Sequence, residues 1–158
     1  MPRKTTKSLE RKVNPDRKYQ SIMVQRLINK SMLDGKKQAA ERAVYAAIEG
    51  AAKKLDSENP VEVLEKAIAN VSPDFEVKSR RVGGANYQIP FPISGHRQLH
   101  FAFSWLVQSA RARGGMPYSK RLEAEIVDAV NEQGAAFKKK EDCHRMAEAN
   151  RAFAHFAR

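Results

Sequence analysis

The chain has 158 residues, 42% of them hydrophobic, a length that suits one compact domain and a composition that excludes a wholly disordered chain. No apolar run approaches the roughly 18 residues that a membrane span needs. The formal net charge of +11 favours a polyanionic partner, with nucleic acid as the first candidate and a membrane surface, which would need a basic amphipathic helix, as the second.

Residues 1–18 form a basic segment, here called the tail, with few apolar side chains. Seven positive residues oppose Glu10 and Asp16, which gives the tail a net charge of +5. The tail cannot bury itself, so it is either a disordered solubilising segment or an arm that grips phosphate. Blocks of basic residues at a terminus commonly bind nucleic acid, which favours the arm. The basic residues are Arg3, Lys4, Lys7, Arg11, Lys12, Arg17 and Lys18.

Two helices are predicted directly after the tail. The first covers residues 19–33, and Gly35 is able to take the left-handed conformation that ends a helix. The second covers 37–55 and has the strongest helical periodicity in the chain, with an apolar face that is mostly alanine. Lys36 and Lys37 form a basic patch at the turn between them.

A third helix is predicted from its start and stop signals. Asn59 is able to cap it, Pro60 suits the first helical position, and Ser72-Pro73 ends it. Four apolar residues of this helix are expected to point inward, namely Val61, Leu64, Ile68 and Val71.

The periodicity then changes from 3.6 to 2, which predicts a β-hairpin over about 75–91 with a glycine-containing tip. Positive side chains on a projecting hairpin repel each other unless an anion is near, and glycines let a backbone approach a partner closely. We therefore expect the tip to contact RNA. The alternative is a charged edge that resists aggregation. The residues concerned are Lys78, Arg80, Arg81, Gly83 and Gly84.

Three more helices complete the predicted fold. The fourth starts after Ser94-Gly95, the fifth covers 118–133 with Gly134 as its stop, and the sixth starts after Lys138–Lys140 and runs to the chain end. The sequence therefore predicts a mainly α fold, in which a single six-helix bundle-like domain over 19–158 carries one protruding β-hairpin and follows the tail. The apolar side of the sixth helix is expected to contain Cys143, Met146, Ala147, Phe153 and Ala154.

Further basic residues cluster at the ends of predicted elements. Each cluster alone fits ordinary solvated surface. Their number favours binding to folded RNA, which is gripped mainly through phosphate and sugar over a broad surface. The clusters are His96 and Arg97 at the start of the fourth helix, Arg111, Arg113, Lys120 and Arg121 around the fourth-to-fifth turn, and Lys138, Lys139 and Lys140.

Nothing in the sequence indicates an enzyme, a cofactor or a small-molecule substrate. His96 and His100 have a zinc-chelating spacing, but no third ligand is obvious, and the HExxH and GxxxxGK[ST] patterns are absent. Cys143 has no recognisable set of catalytic partners. Two rival classes remain: a DNA-binding helical regulator, which needs a recognition helix, and a metal-dependent enzyme.

Two sets of helical side chains have ordinary structural interpretations. Phe101 and Trp105 are more typical of residues that complete a core or meet a partner protein than of residues that stack on a base. Glu123, Glu125 and Asp128 are interpreted as a solvated helix face rather than a paired acid and base.

The compartment is predicted from Cys143 and the N-terminus. Cys143 is the only cysteine, so no intramolecular disulfide forms, which fits a reducing compartment. The first residues are not followed by an apolar stretch of the signal-peptide type. A cytoplasmic protein is expected, with an organelle copy as the alternative.

Three segments resemble the bacterial-type small-subunit ribosomal protein seven family. They are EVKSRRVGG at 76–84, which continues to YQIP at 87–90, MLDGKK at 32–37, and KKEDCHRMAEANRAFAH at 139–155. The segments occur in the order of the family, and the resemblance covers nearly the whole chain. It implies a helical domain with a protruding β-ribbon in a structural component of the small ribosomal subunit.

The resemblance also implies particular partners. Family members are primary binders of the 3′ domain of small-subunit ribosomal RNA and nucleate assembly of the subunit head. Their ribbon lies near the exit-site transfer RNA and the messenger path. Neighbouring head proteins dock late, and the C-terminal helix faces a platform protein across the messenger exit channel. Some members repress translation of their own messenger.

By position, the RNA contacts of the family fall on the tail, on Lys36 and Lys37, on the ribbon and on the start of the fourth helix. The family commonly has two adjacent arginines where this sequence has His96-Arg97. One contact there is therefore expected to be weaker or pH-dependent. Because the sequence ends at Arg158, no long C-terminal contact is expected.

Overall fold

The computed structural model describes residues 13–157, so Arg3, Lys4, Lys7, Arg11 and Lys12 of the tail lie outside the described residues. Within this range the fold is mainly α with a single antiparallel β-hairpin, as predicted. The elements are α1 (Ile22–Ser31), α2 (Lys37–Lys54), α3 (Pro60–Val71), β1 (Phe75–Val82), β2 (Ala85–Pro92), α4 (Gly95–Ala112), α5 (Tyr118–Val130), α6 (Gly134–Ala149) and a C-terminal 3₁₀ helix (Arg151–Ala157).

The core lies between the six α-helices, each of which contributes fully buried apolar side chains. The alanine face predicted for α2 is buried, with Ala47 and Ala51 at 0% exposure. Small side chains at these positions let the backbone of α2 approach its neighbours closely. Every helix among residues 13–157 is too short or too polar to cross a bilayer.

The start of α3 is determined by the residue next to it, whereas the start of α1 depends on Asp16 in the preceding segment. Asn59 caps α3 as predicted, since its side-chain oxygen accepts a hydrogen bond from the N–H of Val61 at 3.2 Å. The first helix was predicted from residue 19, but α1 begins at Ile22. The reason is Asp16, which is 1% exposed and whose carboxylate accepts hydrogen bonds from the backbone N–H of Lys18, Tyr19 and Ser21 at 2.8–3.0 Å. These bonds fold residues 16–21 into a turn.

The last two helices also depart from the prediction. The fifth helix ends at Val130, and α6 begins at Gly134, the residue predicted to stop its predecessor. The lysines at 138–140 therefore lie inside α6. A buried carboxylate of α5, that of Glu125, accepts a hydrogen bond from the N–H of Ala136 at 2.8 Å and so caps the first turn of α6. The predicted apolar side of the sixth helix is wrong in part, because Met146 is 52% exposed and because α6 ends at Ala149, which leaves Phe153 and Ala154 in the 3₁₀ helix.

The hairpin, here called the ribbon, has its predicted tip. Its strands pair from Phe75 with Pro92 to the ends of a two-residue turn, Gly83-Gly84. The φ angles of these glycines are 59° and 90°, and a type I′ turn requires positive φ at both positions. The prediction of a glycine-containing tip is therefore confirmed.

The C-terminal 3₁₀ helix packs against the ribbon. The ring of Tyr87 on β2 lies 5.1 Å from that of Phe153 and 5.5 Å from that of Phe156, measured between centroids. Arg80 on β1 donates a hydrogen bond from Nη1 to the carbonyl oxygen of Phe156 at 2.8 Å. The ribbon is therefore braced along its length, which compensates for the low intrinsic stability of a two-stranded sheet.

Candidate nucleic-acid interface

A groove between α1 and α4 has a volume of about 290 Å³, and its lining combines basic side chains with the apolar Leu99 and Phe103. Arg26 and Lys30 approach it from α1, and His96 and His100 approach it from α4. Partial burial of the His100 ring, together with the positive charges of Lys30, Arg97 and His96, lowers the pKa of His100 below its usual value. The groove thus favours an anion, which would relieve the repulsion among these groups.

A second groove adjoins the first along α1. It is lined by Arg17 from the tail and by Lys37 and Glu41 from α2, and Asn29 of α1 lines both grooves. The Nζ of Lys37 lies 3.8 Å from the carboxylate of Glu41, so part of its charge is offset. The two grooves therefore share one wall residue, Asn29.

A pocket of about 380 Å³ lies between the α1–α2 turn and the α4–α5 turn, and we call it the turn pocket. Its basic residues are Lys36, Arg111 and Arg121. Arg111 donates from Nη2 to the carbonyl oxygen of Ser31 at 3.2 Å, and Arg121 donates from Nη1 to that of Arg113 at 2.8 Å. The fold therefore brings together cations that are distant in sequence.

These three surfaces form what we call the cationic band. His100 was considered in the sequence analysis only as a possible zinc ligand, and two members on α1, Arg26 and Lys30, were missed altogether. Their signal was available, because they alternate with the buried Val24, Leu27 and Ile28 along α1 and so face outward. The members of the band are Arg17, Arg26, Lys30, Lys36, Lys37, His96, His100, Arg111 and Arg121.

The base of the ribbon is tied to α4 through Glu76. This side chain is mostly buried, and its carboxylate lies 2.7 Å from the Nζ of Lys78 and 3.1 Å from the Nη2 of Arg97. Burial alone would raise the pKa of Glu76, but the hydrogen bonds and charges of Lys78 and Arg97 lower it below its usual value. Two predicted RNA contacts therefore share one carboxylate. Arg81, nearer the tip, is exposed.

The predicted solvated face of α5 is wrong. Glu123 is 2% exposed and Glu125 0%. Arg113 lies 2.6 Å from the Glu125 carboxylate and also pairs with Asp128. The structure therefore gives Arg113 an intramolecular role, and we leave it out of the cationic band.

Glu123 takes its partners from two helices. Its carboxylate lies 3.0 Å from the Nζ of Lys54 and 2.8 Å from that of Lys120. Burial alone would raise the pKa of Glu123, but the two lysines lower it below its usual value. A Cβ atom at Gly50 would lie 2.2 Å from this carboxylate, so glycine leaves the space that Glu123 occupies.

The lysines of α6 do not line any groove of the cationic band. Lys139 donates to the side chain of Gln108 at 3.2 Å, and Lys140 donates to the carbonyl oxygen of Asn70 at 2.7 Å. Lys138 is exposed. These residues form a separate basic surface.

Two other sequence candidates have structural positions. Trp105 is partly buried against the core, which supports the core interpretation, and its ring lies 5.3 Å from that of Phe101. The guanidinium of Arg97 covers Phe101 at 4.7 Å. Across residues 13–157, no group of three or more His, Cys, Asp or Glu side chains is placed to hold a metal ion.

Comparisons with known proteins show which family the chain resembles. Residues 2–151 match the family model described as "Ribosomal protein S7p/S5e". The chain is 54% identical to "Small ribosomal subunit protein uS7" of Hydrogenobaculum sp. over 99% of both chains. It is also 53% identical to the protein of that name from Dictyoglomus thermophilum, over 92% of this chain and 93% of the relative, and 52% identical to that from Thermomicrobium roseum over 99% of both.

Proposed function

The chain belongs to the ribosomal protein S7p/S5e family, and from this premise we propose that it holds the 3′ domain of small-subunit ribosomal RNA through phosphate contacts. Its relatives are structural proteins of the small ribosomal subunit. It is likewise a structural protein of that subunit and not an enzyme. It therefore works in the ribosome, in the cytoplasm.

The cationic band is the observation that carries the proposal. Its nine members come from the tail, α1, the α1–α2 turn, α2, α4 and α5, and among the described residues Glu41 is the one acid that lines these surfaces. A broad surface of this kind suits folded RNA, whose narrow major groove hides its base edges. Phosphate contacts then fix the orientation of the protein on the RNA.

The ribbon supplies a second point of contact. Its tip carries exposed Arg81 beside two glycines, and its base is fixed to α4 through Glu76 and Arg97. A projecting, braced element of this kind can enter a cleft that the helical body cannot reach. We place it near the exit-site transfer RNA and the messenger path, as the family resemblance implies.

The wider role follows from the same contacts. A protein that grips RNA by itself can bind early, so we propose that it nucleates assembly of the subunit head and that neighbouring head proteins dock afterwards. The exposed face of α6 would then meet a platform protein. A segment of the protein's own messenger RNA that folds like the ribosomal target would bind the same surface. By this route the protein would repress its own translation.

Replacing both ribbon arginines, Arg80→Ala with Arg81→Ala, is expected to weaken RNA binding by about tenfold for each arginine, since a charged hydrogen bond contributes roughly 1.5 kcal/mol or more. The helical circular dichroism should be unchanged, because the core lies among the helices. Filter binding to a transcript of the 3′ domain measures the effect.

The matched control for the ribbon variant is Arg145→Ala with Arg151→Ala, which removes the same charge from exposed ion pairs. Equal losses of affinity in the two double variants would mean that the ribbon arginines contribute only through the net charge of the protein. Arg81→Ala alone separates RNA contact from the bracing bond of Arg80 to Phe156.

Two truncations distinguish the basic tail from the turn that follows it. Deleting residues 1–12 removes five positive residues and one negative, and should weaken RNA binding while leaving the free energy of unfolding unchanged. Deleting 1–18 also removes Asp16 and should lower the free energy of unfolding by about 2 kcal/mol. Urea titrations measure the difference. If the two truncations are equally stable, Asp16 does not anchor the fold.

The contribution of Asp16 should also depend on pH. Burial alone would raise its pKa, but the N–H groups of Tyr19, Ser21 and Lys18 and the hydroxyl of Tyr45 lower it below its usual value. The stabilisation is therefore complete above the ordinary aspartate pKa of about 3.9 and is lost as the pH falls below it.

A further inference from the structure

The turn pocket has a composition that phosphate binding does not explain. Its lining includes the exposed Leu33 together with Ala39, Ala40, Ala43 and Tyr118, all of which present carbon to the pocket. A phosphate needs N–H groups and charge, and it gains nothing from an apolar floor. The pocket therefore fits a ligand that has a flat apolar part beside a negative one.

The rim of the pocket supplies the positive charge that would pair with the negative part of such a ligand. Lys36, Arg111 and Arg121 line the pocket, and none of the acidic side chains within residues 13–157 does. Lys36 lies beside Asp34, whose carboxylate is 4.0 Å from its Nζ with both side chains largely in solvent. The pair is thus weak, and the rim remains positive.

The walls of the pocket are already fixed by hydrogen bonds. The hydroxyl of Tyr118 donates to the Oγ of Ser31 at 2.9 Å, and Arg111 donates to the carbonyl oxygen of the same residue at 3.2 Å. Arg121 is held by the carbonyl oxygens of Arg111 and Arg113 at 3.2 and 2.8 Å. A pocket with fixed walls loses little conformational entropy when it is filled.

We propose that the turn pocket accepts one unstacked nucleobase of the ribosomal RNA while its basic rim holds the flanking phosphates, an inference that rests on the RNA-binding function proposed above. Unstacked bases pack on aromatic rings and guanidinium planes, and the pocket offers Tyr118 and two arginines. Its volume of about 380 Å³ lies within the range of roughly 300–1,000 Å³ that is typical of ligand pockets. The Oγ of Ser31 accepts a hydrogen bond from the Tyr118 hydroxyl. The hydroxyl proton of Ser31 therefore remains free to be donated to an acceptor atom of the nucleobase.

The test fills the pocket without removing charge. Ala39→Leu extends an exposed α2 side chain into the pocket, and leucine is a good helix former. The matched control is Ala46→Leu, at an exposed position of the same helix that does not line the pocket. Affinity for a transcript of the 3′ domain is measured at several salt concentrations for both variants and for the unmodified protein.

Ala39→Leu should weaken binding by about 10-fold to 100-fold, the loss expected for one stacked base. The slope of log affinity against log salt should stay unchanged, because no phosphate contact is removed. Ala46→Leu should bind like the unmodified protein. Ultraviolet cross-linking should attach a nucleotide to the peptide that contains Tyr118, and Ala39→Leu should abolish that adduct.

Several outcomes would overturn the proposal. Equal affinity of the two leucine variants would exclude base insertion, and so would cross-links confined to other peptides. If Ala39→Leu binds RNA normally but fails to enter small subunits, the pocket takes a side chain of a neighbouring protein instead. Failure of the unmodified protein to bind the transcript would refute the proposed function itself, which keeps the two failures distinct.

Discussion

Raising the salt concentration from 50 to 200 mM is expected to weaken binding of this protein to small-subunit ribosomal RNA by about a thousandfold to a hundred-thousandfold. The estimate assumes that the cationic band, the ribbon and the tail together neutralise roughly 6–10 phosphates and release their counterions, on the calibration for duplex DNA. Filter-binding titrations at several salt concentrations measure the slope. A slope near zero would contradict binding through phosphate.

The same salt titration, repeated on variants, shows which residues contribute to the slope. Arg26→Ala with Lys30→Ala should reduce the slope by about two phosphate contacts, because both side chains line the α1–α4 groove. Lys53→Ala with Lys66→Ala removes the same charge from exposed positions outside the band. On the proposal that the band recognises folded RNA, excess duplex DNA should not displace the ribosomal transcript. Displacement would favour a DNA-binding regulator.

Replacing Arg113 by alanine is expected to lower the free energy of unfolding by about 3 kcal/mol, a large part of the stability of a typical domain. The substitution leaves Glu125, which is 0% exposed, with only the N–H of Ala136 as a partner. Removing one member of a buried ion pair leaves a charge that neither water nor protein compensates. Urea unfolding followed by circular dichroism measures the loss.

Two control variants define the cause of that loss. Arg145→Ala removes an arginine from an exposed pair with Asp142 and should cost less than about 1 kcal/mol. Arg113→Met with Glu125→Gln removes both charges and should be more stable than Arg113→Ala alone. The double variant should also keep the salt slope of RNA binding. A reduced slope would show that Arg113 contacts phosphate after all.

Local signals were sufficient for much of the fold. The alternating pattern predicted the ribbon over about 75–91, and its strands extend from Phe75 to Pro92. Asn59 and Pro60 predicted the start of α3, because a cap and a first-turn proline act within one helical turn.

Long-range pairing was not visible in the sequence. The start of α6 was misplaced because its cap, Glu125, lies 11 residues upstream on another helix. The burial of Glu123 was missed because its partners Lys54 and Lys120 are brought together only by packing. A signal did exist, since Glu125 lies three residues after Leu122 and four before Ala129, which places it on the buried stripe.

The candidate site was predictable in kind but not in arrangement. Lys36, Arg111 and His96 were identified from basic clusters at element ends. They form one band only because folding places α1, the α1–α2 turn and α4 side by side. No single segment of the sequence specifies that packing. Local sequence likewise gave no indication that Arg113 would be engaged in an ion pair with the buried Glu125.

The bracing of the ribbon has a thermodynamic consequence for its encounter with a partner. The ring of Tyr87 packs against the rings of Phe153 and Phe156, and Glu76 ties the base to α4. A free two-stranded arm would have to freeze its backbone torsions at the moment of docking, whereas this one has frozen them during folding. The ribbon is therefore already rigid when it meets its target. Less of the interaction free energy at its tip is then lost to ordering the backbone, and more of it is retained as affinity.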